Sequence, residues 1–266
     1  MNKIDYGVDI NKDGHCDNCG WFVDQYGAHR ARLIFEHSNE DFNIDWINQD
    51  IYVDSLSVDD LIRVYYDGEP YKEYNPSWNL IKTYSLNDVN NPYSCPSINS
   101  YLRFGRILND AEPQQIIKIA SLMNEAIDRF VLKKTLVTYR GMSFNRDDSF
   151  VTMLDTALVK LETQRVYPFV DKGFVSTSLS LDYAKTFLQK SKKDVLVLCS
   201  FINLLGSNTM PLSKKRGTTT NSFENEVLLK NNQKFYICGV QKYSNSNKIY
   251  YKVIIINSKE DIENVD

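Results

Sequence analysis

From residue 97 onward, apolar side chains recur at spacings that predict several amphipathic helices. Residues 113–130 place an apolar side chain at every third or fourth position, which gives one apolar face to a helix that begins at Pro113. That face is predicted to contain Ile116, Ile117, Ala120, Met123, Ile127 and Phe130. Further helices are predicted from residue 97, over residues 150–163, and after Ser180, whose hydroxyl suits a helix N-cap.

Strands are predicted where apolar runs are short and bounded by turn residues. Residues 194–201 form an almost unbroken apolar run, which predicts a strand at the centre of a sheet. Shorter strands are predicted at 135–139, 173–178, 223–229, 235–240 and 249–256. Before residue 95 the pattern is weak, and residues 55–66 are compatible with a short helix or a strand.

The charge balance changes near residue 95, where Asn90-Asn91-Pro92 and Cys95-Pro96 indicate a boundary. Residues 1–95 contain 7 Lys and Arg against 17 Asp and Glu, a net charge of −10, whereas residues 96–266 contain 24 against 17, a net charge of +7. We therefore predict an acidic N-terminal region of unknown role over residues 1–95 and a separate domain over residues 96–266. A basic domain suits an anionic ligand, but nucleic acid is not favoured, because the basic residues are scattered without a recognition motif.

Cysteine usage and hydropathy narrow the class of protein further. The five cysteines are an odd number and widely spread, which does not indicate a disulfide framework. No apolar run approaches the roughly 20 residues that a membrane-spanning helix needs, and the N-terminus lacks the apolar core of a signal peptide. The expectation is a cytosolic protein, a mature or injected form, or one that leaves its cell by another route.

Residues 9–20 carry two partial metal-binding patterns. Asp9, Asn11, Asp13 and Asp17 have the spacing of a calcium loop, but its last ligand position holds Gly20. In the same stretch Cys16 and Cys19, with histidines nearby, could contribute to a zinc site of incomplete spacing. A polar turn with two free thiols is the favoured interpretation, and calcium and zinc remain the alternatives.

A pair of glutamates two residues apart introduces the apolar strand predicted at 223–229. Successive side chains of a strand alternate faces, so Glu224 and Glu226 are expected on the same face. Like charges held so close repel, which raises the pKa of one carboxyl relative to the other and lets the two groups take different roles. Taken alone, the pair is more typical of a solvated edge strand, because structural charges are commoner than catalytic ones.

Two other segments change that interpretation. Tyr139-Arg140-Gly141 ends one predicted strand, and Ser176-Thr177-Ser178 lies on another. In this order and at these separations, the three segments resemble the Arg–Ser–Glu class of mono-ADP-ribosyltransferases, which includes bacterial actin-modifying toxins and arginine-specific transferases. The resemblance covers about residues 97–256 and includes the helix before Arg140.

The resemblance implies a role for each matching residue. Arg140 would contact the phosphate and ribose of NAD, with Gly141 lining the nicotinamide pocket through its backbone. Ser176 would position the catalytic Glu226, which stabilises positive charge on the ribose. Glu224 would accept a proton from the acceptor guanidinium, and the Glu-x-Glu pattern favours arginine as acceptor.

The remaining implications concern the neighbouring residues and the whole protein. Thr177 and Ser178 would complete the NAD-binding strand, and Phe223 would contact the target protein. The implied fold is α+β, with two packed, roughly perpendicular mixed β-sheets flanked by helices and NAD in the cleft between them. The implied function is mono-ADP-ribosylation of a protein arginine with release of nicotinamide and with no metal required. NAD glycohydrolase activity and transfer to nucleic acid are the alternatives.

The expected partner and location follow from the same resemblance. The partner would be a host protein with an accessible arginine, with actin among the candidates. The protein would be a toxin-like effector, secreted or injected, or a phage-encoded enzyme, that acts in a host cytoplasm.

Overall fold

The fold comes from a computed structural model of the chain that describes residues 58–86, 88–220, 225–244, 247–259 and 262, without the side chains of Asp60 and Asp182. Among the described residues the first elements are the helices α1 (Val58–Tyr65), α2 (Ser77–Ser85), α3 (Cys95–Phe104) and α4 (Pro113–Ile127). Then follow β1 (Leu136–Phe144), α5 (Ser149–Lys160), β2 (Tyr167–Asp171), β3 (Val175–Ser178), α6 (Leu181–Gln189) and β4 (Val195–Asn203). The chain closes with β5 (Thr209–Pro211), β6 (Glu226–Leu229), β7 (Gln233–Ser244) and β8 (Ile249–Asn257).

The strands form a mixed sheet in the order β2-β7-β8-β4-β1-β3-β6-β5. The β4–β8 pair is parallel and the other pairs are antiparallel. The two predicted sheets correspond to a five-stranded part, β2 to β1, and a three-stranded part, β3 to β5. These parts are joined where Tyr139 of β1 pairs with Ser178 of β3. The predicted central strand is confirmed, since β4 is buried along its whole length.

Two hydrophobic clusters fill the spaces beside the sheet. One packs α1 to α4 against Phe174, which precedes β3, and against Met210 and Leu228 of the three-stranded part. The other packs α5 against the strands around Val197, and it also contains Val227. Adjacent residues of β6 therefore face different clusters, as the alternation of side chains on a strand requires.

The α4 helix begins at Pro113 as predicted, but one residue of its predicted apolar face is wrong. Ile117 is 55% exposed, whereas Ile119 is buried. Neighbouring residues of a helix point about 100° apart, and Ile117 falls outside the buried stripe, on the exposed side of the helix. Ile116 faces the core, and the stripe continues through Ile119 and Met123. The predicted N-cap of α6 is confirmed, because the Ser180 hydroxyl accepts a hydrogen bond from Tyr183 N.

Packing is continuous across residues 95 and 96, where we placed a boundary. Cys95 is the first residue of α3, and the helices on either side of it share one hydrophobic cluster. Tyr84 of α2 lies edge-on to Phe174, with ring centroids 5.4 Å apart. Residues 58–86 therefore build part of the wall beside β3, and the division of the chain into domains stays a prediction.

Candidate active site

Arg140 lies near the middle of β1, half-buried, opposite Cys199 of β4. Its Nη1 donates a hydrogen bond to the backbone carbonyl of Ser176, at 2.7 Å. The structure thus brings the predicted arginine directly against the predicted serine strand. This bond also fixes the guanidinium beside the joint between the two parts of the sheet.

The short antiparallel pair β3–β6 places the serines beside Glu226. Ser178 is the register partner of Glu226, and Ser176 is the partner of Leu228. Directly opposed residues share a face, so Ser176, Ser178 and Glu226 lie on one face of the pair. Thr177 lies on the other face, where its buried hydroxyl donates to Val227 O at 2.9 Å. The Thr177 side chain therefore ties β3 to β6 instead of sharing the face of Ser176.

Glu226 begins β6 and is 8% exposed. Its backbone carbonyl accepts from Leu212 N at 2.8 Å, and the preceding Asn225 accepts from Leu179 N at 3.0 Å. Asn225 has φ +44°, a left-handed conformation that Asn tolerates better than most residues. The chain therefore turns sharply just before Glu226, and strand pairing holds the glutamate backbone in place.

Electrostatic effects on Tyr84 show which charges lie close together. Burial raises the pKa of the Tyr84 hydroxyl well above its ordinary value, Cys95 and the negative charge of Glu226 add to the rise, and Arg140 opposes it. Burial likewise raises the pKa of the Cys95 thiol, which also lies in the fields of Arg140 and Glu226. A carboxylate and a guanidinium from different strands thus converge beside helices α2 and α3.

Helix α3 braces the strand that carries Ser176, a role that the sequence analysis missed. Asn99 accepts from Phe174 N at 2.8 Å, and its amide donates to Phe174 O at 3.2 Å and to the Tyr84 hydroxyl at 2.9 Å. One turn later, Arg103 binds both oxygens of Asp171 at 2.7 and 3.0 Å and donates to Phe174 O at 2.9 Å. Asn99 and Arg103 are four residues apart, so they lie on one helix face, and both reach the same backbone segment at Phe174.

Gly141 is required by close packing of α6 on β1. A Cβ atom at this position would lie 2.0 Å from Ala184 O, a distance that real Cβ atoms do not adopt. The absence of a side chain thus lets α6 lie directly on the strand that carries Arg140. Its predicted contact with nicotinamide stays a prediction.

Several predicted residues lie outside the described residues. Phe223 and Glu224 are two of them, as are the candidate metal ligands Asp9, Asn11, Asp13 and Asp17. Within the ranges that the structure does describe, no group of three or more His, Cys, Asp or Glu side chains is arranged to hold a metal ion. Nor is any helix in that part of the chain long and apolar enough to cross a membrane.

The chemistry available at the site follows from its charges. A guanidinium offers five N–H donors, of which the bond to Ser176 O uses one, so Arg140 can bind phosphate or ribose oxygens. The carboxylate of Glu226, buried and held by strand pairing, is suited to stabilise positive charge on a substrate. The site therefore offers a guanidinium to an anionic group of a ligand and a buried carboxylate to a positively charged one.

Comparison with known structures supports the fold. Plx2a, an ADP-ribosyltransferase toxin from Paenibacillus larvae, is 20% identical with a TM-score of 0.50 over 70% of this chain and 87% of its own. Vis toxin, an ADP-ribosyltransferase from Vibrio splendidus, is 17% identical with a TM-score of 0.51 over 84% of this chain and 94% of its own. C3stau2 from S. aureus, solved with NAD, is 15% identical with a TM-score of 0.50 over 75% of this chain and 92% of its own. The α+β ADP-ribosyltransferase fold implied by the resemblance is confirmed.

Sequence comparison identifies the family. A search of curated proteins found no match to this chain. The family model for the ADP-ribosyltransferase exoenzyme matches residues 90–259, which is more than half of the chain and includes Arg140, Ser176 and Glu226. The chain therefore belongs to the ADP-ribosyltransferase exoenzyme family, whose members transfer ADP-ribose from NAD.

Proposed function

We propose that this protein transfers ADP-ribose from NAD to an arginine of a target protein and releases nicotinamide. The observation that carries the proposal is the convergence of Arg140, Ser176 and the buried Glu226 across β1, β3 and β6. The choice of arginine rests on Glu224, two residues before Glu226 in the sequence.

On the NAD side of the site, each residue has a distinct task. Arg140 binds phosphate and ribose oxygens, and its bond to Ser176 O keeps the guanidinium beside the serine strand. Ser176 lies on the same face as Glu226 and positions the glutamate. As the bond between the ribose carbon and the nicotinamide nitrogen breaks, its electron pair leaves with nicotinamide, and Glu226 stabilises the positive charge that develops on the sugar.

On the acceptor side, Glu224 is the residue that selects arginine. An arginine guanidinium is protonated in water, and a carboxylate can bind it through two parallel hydrogen bonds. Glu224 orients one guanidinium nitrogen toward the ribose carbon, where the new carbon–nitrogen bond forms, and it takes the proton that this nitrogen loses. Phe223 is the neighbouring contact for the target protein.

Two substitutions test this division of roles. Glu226→Gln is expected to lower both NAD cleavage and transfer on the order of a hundredfold to a thousandfold, because the main counter-charge is lost. Glu224→Gln is expected to lose transfer to arginine and to retain NAD cleavage by water. The measurements are nicotinamide release by chromatography and incorporation of labelled ADP-ribose into a protein acceptor and into agmatine, a small guanidine.

The same measurements separate this proposal from its rivals. Equal behaviour of the two variants would contradict the division of roles. Nicotinamide release without any labelled protein would indicate an NAD glycohydrolase, and a label removed by nuclease would indicate transfer to nucleic acid. Labelling a host lysate with tagged NAD would identify the target, for which actin is one candidate, and would test action inside a host cell.

A further inference from the structure

Tyr71, between α1 and α2, binds the last residue of β5 and a residue inside the loop that follows β5, residues 212–220. Its hydroxyl donates to Pro211 O at 2.5 Å, and its oxygen lies 3.3 Å from Thr218 Oγ1. The ring packs against Phe130 and Trp78, with centroids 4.8 and 5.1 Å away. Since Tyr71 is 5% exposed, buried packing fixes the position of this hydroxyl.

The 212–220 loop is closed on itself around Thr218. Thr218 Oγ1 accepts from Ser213 N at 2.8 Å, and Thr218 N donates to Ser213 O at 3.0 Å. Gly217 has φ +72°, which allows the chain to turn back toward Ser213. Thr218 is fully buried, so the Tyr71 hydroxyl reaches the inside of a compact turn.

Besides its contact with Tyr71, the 212–220 loop contacts α1 through its tip, and this second contact is weaker. Lys215 and Arg216 donate to Asp59 at 2.8 and 3.1 Å, and Arg216 lies 5.8 Å from the centre of the Tyr71 ring. These side chains are 39–75% exposed, and exposed ion pairs contribute little to stability. The buried bonds of Tyr71 therefore carry most of the anchoring.

The loop that Tyr71 binds is followed in the sequence by the residues that we propose to contact the acceptor. From Thr220 the chain continues through four residues, which include Phe223 and Glu224, to Asn225 and Glu226. Strand pairing fixes the Glu226 end of this segment, as described above. The Tyr71 hydroxyl fixes the other end, because it holds the turn immediately before it.

We propose that Tyr71 is a positioning residue for the acceptor side of the site, and that its hydroxyl controls transfer to the protein acceptor while leaving NAD cleavage intact. This proposal rests on the proposed function, in which Glu224 engages the acceptor. Arg140 and Ser176 are held by contacts in β1, β3 and α3. Glu226 is held by its pairing with Ser178 of β3 and by the bond from Leu212 N, and neither of these contacts uses the Tyr71 hydroxyl.

The test compares two buried tyrosines whose hydroxyls form hydrogen bonds to different parts of the chain. Tyr71→Phe keeps the ring and removes the bonds to Pro211, the last residue of β5, and to Thr218 in the 212–220 loop. The matched control is Tyr66→Phe, because Tyr66 is also fully buried and shares a 2.8 Å hydrogen bond with Thr209, in the same strand β5 but away from the loop. Both variants are assayed as the full chain, for nicotinamide release and for labelled transfer to protein at saturating NAD.

Tyr71→Phe is expected to lower transfer about tenfold and to keep NAD cleavage within about twofold of the parent. Tyr66→Phe is expected to keep the parent ratio of transfer to cleavage. Thr218→Val should resemble Tyr71→Phe, and Thr218→Ser, which retains the hydroxyl, should restore transfer. This rescue would not be seen if Thr218 only filled space in the core.

The outcomes also separate this proposal from the proposed function. If the parent transfers to protein arginine but Tyr71→Phe and Tyr66→Phe give the same ratio, only the positioning role is overturned. It is likewise overturned if Tyr71→Phe lowers cleavage as much as transfer. If the parent cleaves NAD without transfer to protein arginine, the proposed function and this proposal fall together.

Discussion

Replacement of Asn99 by Leu is the sharpest test of how helix α3 holds the site. The Asn99 amide forms the described bonds to Phe174 N, Phe174 O and the Tyr84 hydroxyl, and Leu has nearly the same volume but no polar atoms. Phe174 O keeps its bond from Arg103, so Phe174 N and the Tyr84 hydroxyl lose a buried partner.

The cost follows from these two groups. Phe174 N is a donor and the Tyr84 hydroxyl accepts from Asn99, and a buried donor or acceptor left without its partner costs about 1–3 kcal/mol. We therefore expect Asn99→Leu to lower the free energy of unfolding by about 3 kcal/mol, which corresponds to roughly 6–12 °C in Tm for a chain of this size. Ser176 follows Phe174 by two residues, and a displacement of about 1 Å at a reacting group can cost about a hundredfold in rate.

The assay pairs thermal unfolding with nicotinamide release at a temperature where the variants are folded. The control is Asn203→Leu, because Asn203 is also buried and its amide donates to Leu136 O and Thr138 Oγ1 at the start of β1. Both variants should lose similar stability, but Asn99→Leu should release nicotinamide at least tenfold more slowly. Equal release rates would refute the idea that α3 positions the serine strand.

Two further predictions concern the packing of α6 and the loop at Asp59. Gly141→Ala should lower the free energy of unfolding by about 1–3 kcal/mol, because the new Cβ would overlap Ala184 O; an unchanged Tm would contradict this. Hydrogen bonds from Lys215 and Arg216 lower the pKa of Asp59 below its ordinary 3.8. The stability that these bonds add to the folded state is therefore present above about pH 4, and it is lost as the pH falls through the lowered pKa of Asp59 in the folded protein. In urea unfolding, the difference in the free energy of unfolding between the parent and Asp59→Asn should therefore be below about 1 kcal/mol at pH 7. This difference should become smaller at acidic pH, and a difference that becomes larger there would contradict the prediction.

Sequence patterns predicted the elements that depend on local periodicity. The burial of β4 and the cap at Ser180 follow from neighbouring residues alone, and so does the start of α4 at Pro113. The order Arg140, Ser176, Glu226 indicated the site because each residue lies on or beside a strand. The structure then showed how those strands adjoin.

Other features depend on contacts between residues far apart in the chain, which periodicity cannot show. The amide of Asn99 looks like an ordinary polar position of a helix, yet it is paired with the backbone of Phe174, 75 residues later. Tyr71 lies in a segment of weak pattern, and its hydroxyl binds a loop about 140 residues away. Gly141 lies in a strand and not in a turn, and glycine is required there because a side chain would overlap Ala184 on a later helix.

The joint between Tyr139 and Ser178 has a mechanical consequence. Nine register pairs connect β1 to β4 and four connect β3 to β6, but β1 and β3 share one register pair, supplemented by the bond from the Arg140 side chain to Ser176 O. In elastic terms this is the softest line across the sheet, and Arg140 and Glu226 lie on opposite sides of it. A small bend along this line changes the spacing of the two charges without breaking either neighbouring ladder. A dinucleotide that spans both charges would stiffen the line, and slower amide exchange near Tyr139 and Ser178 would record that stiffening.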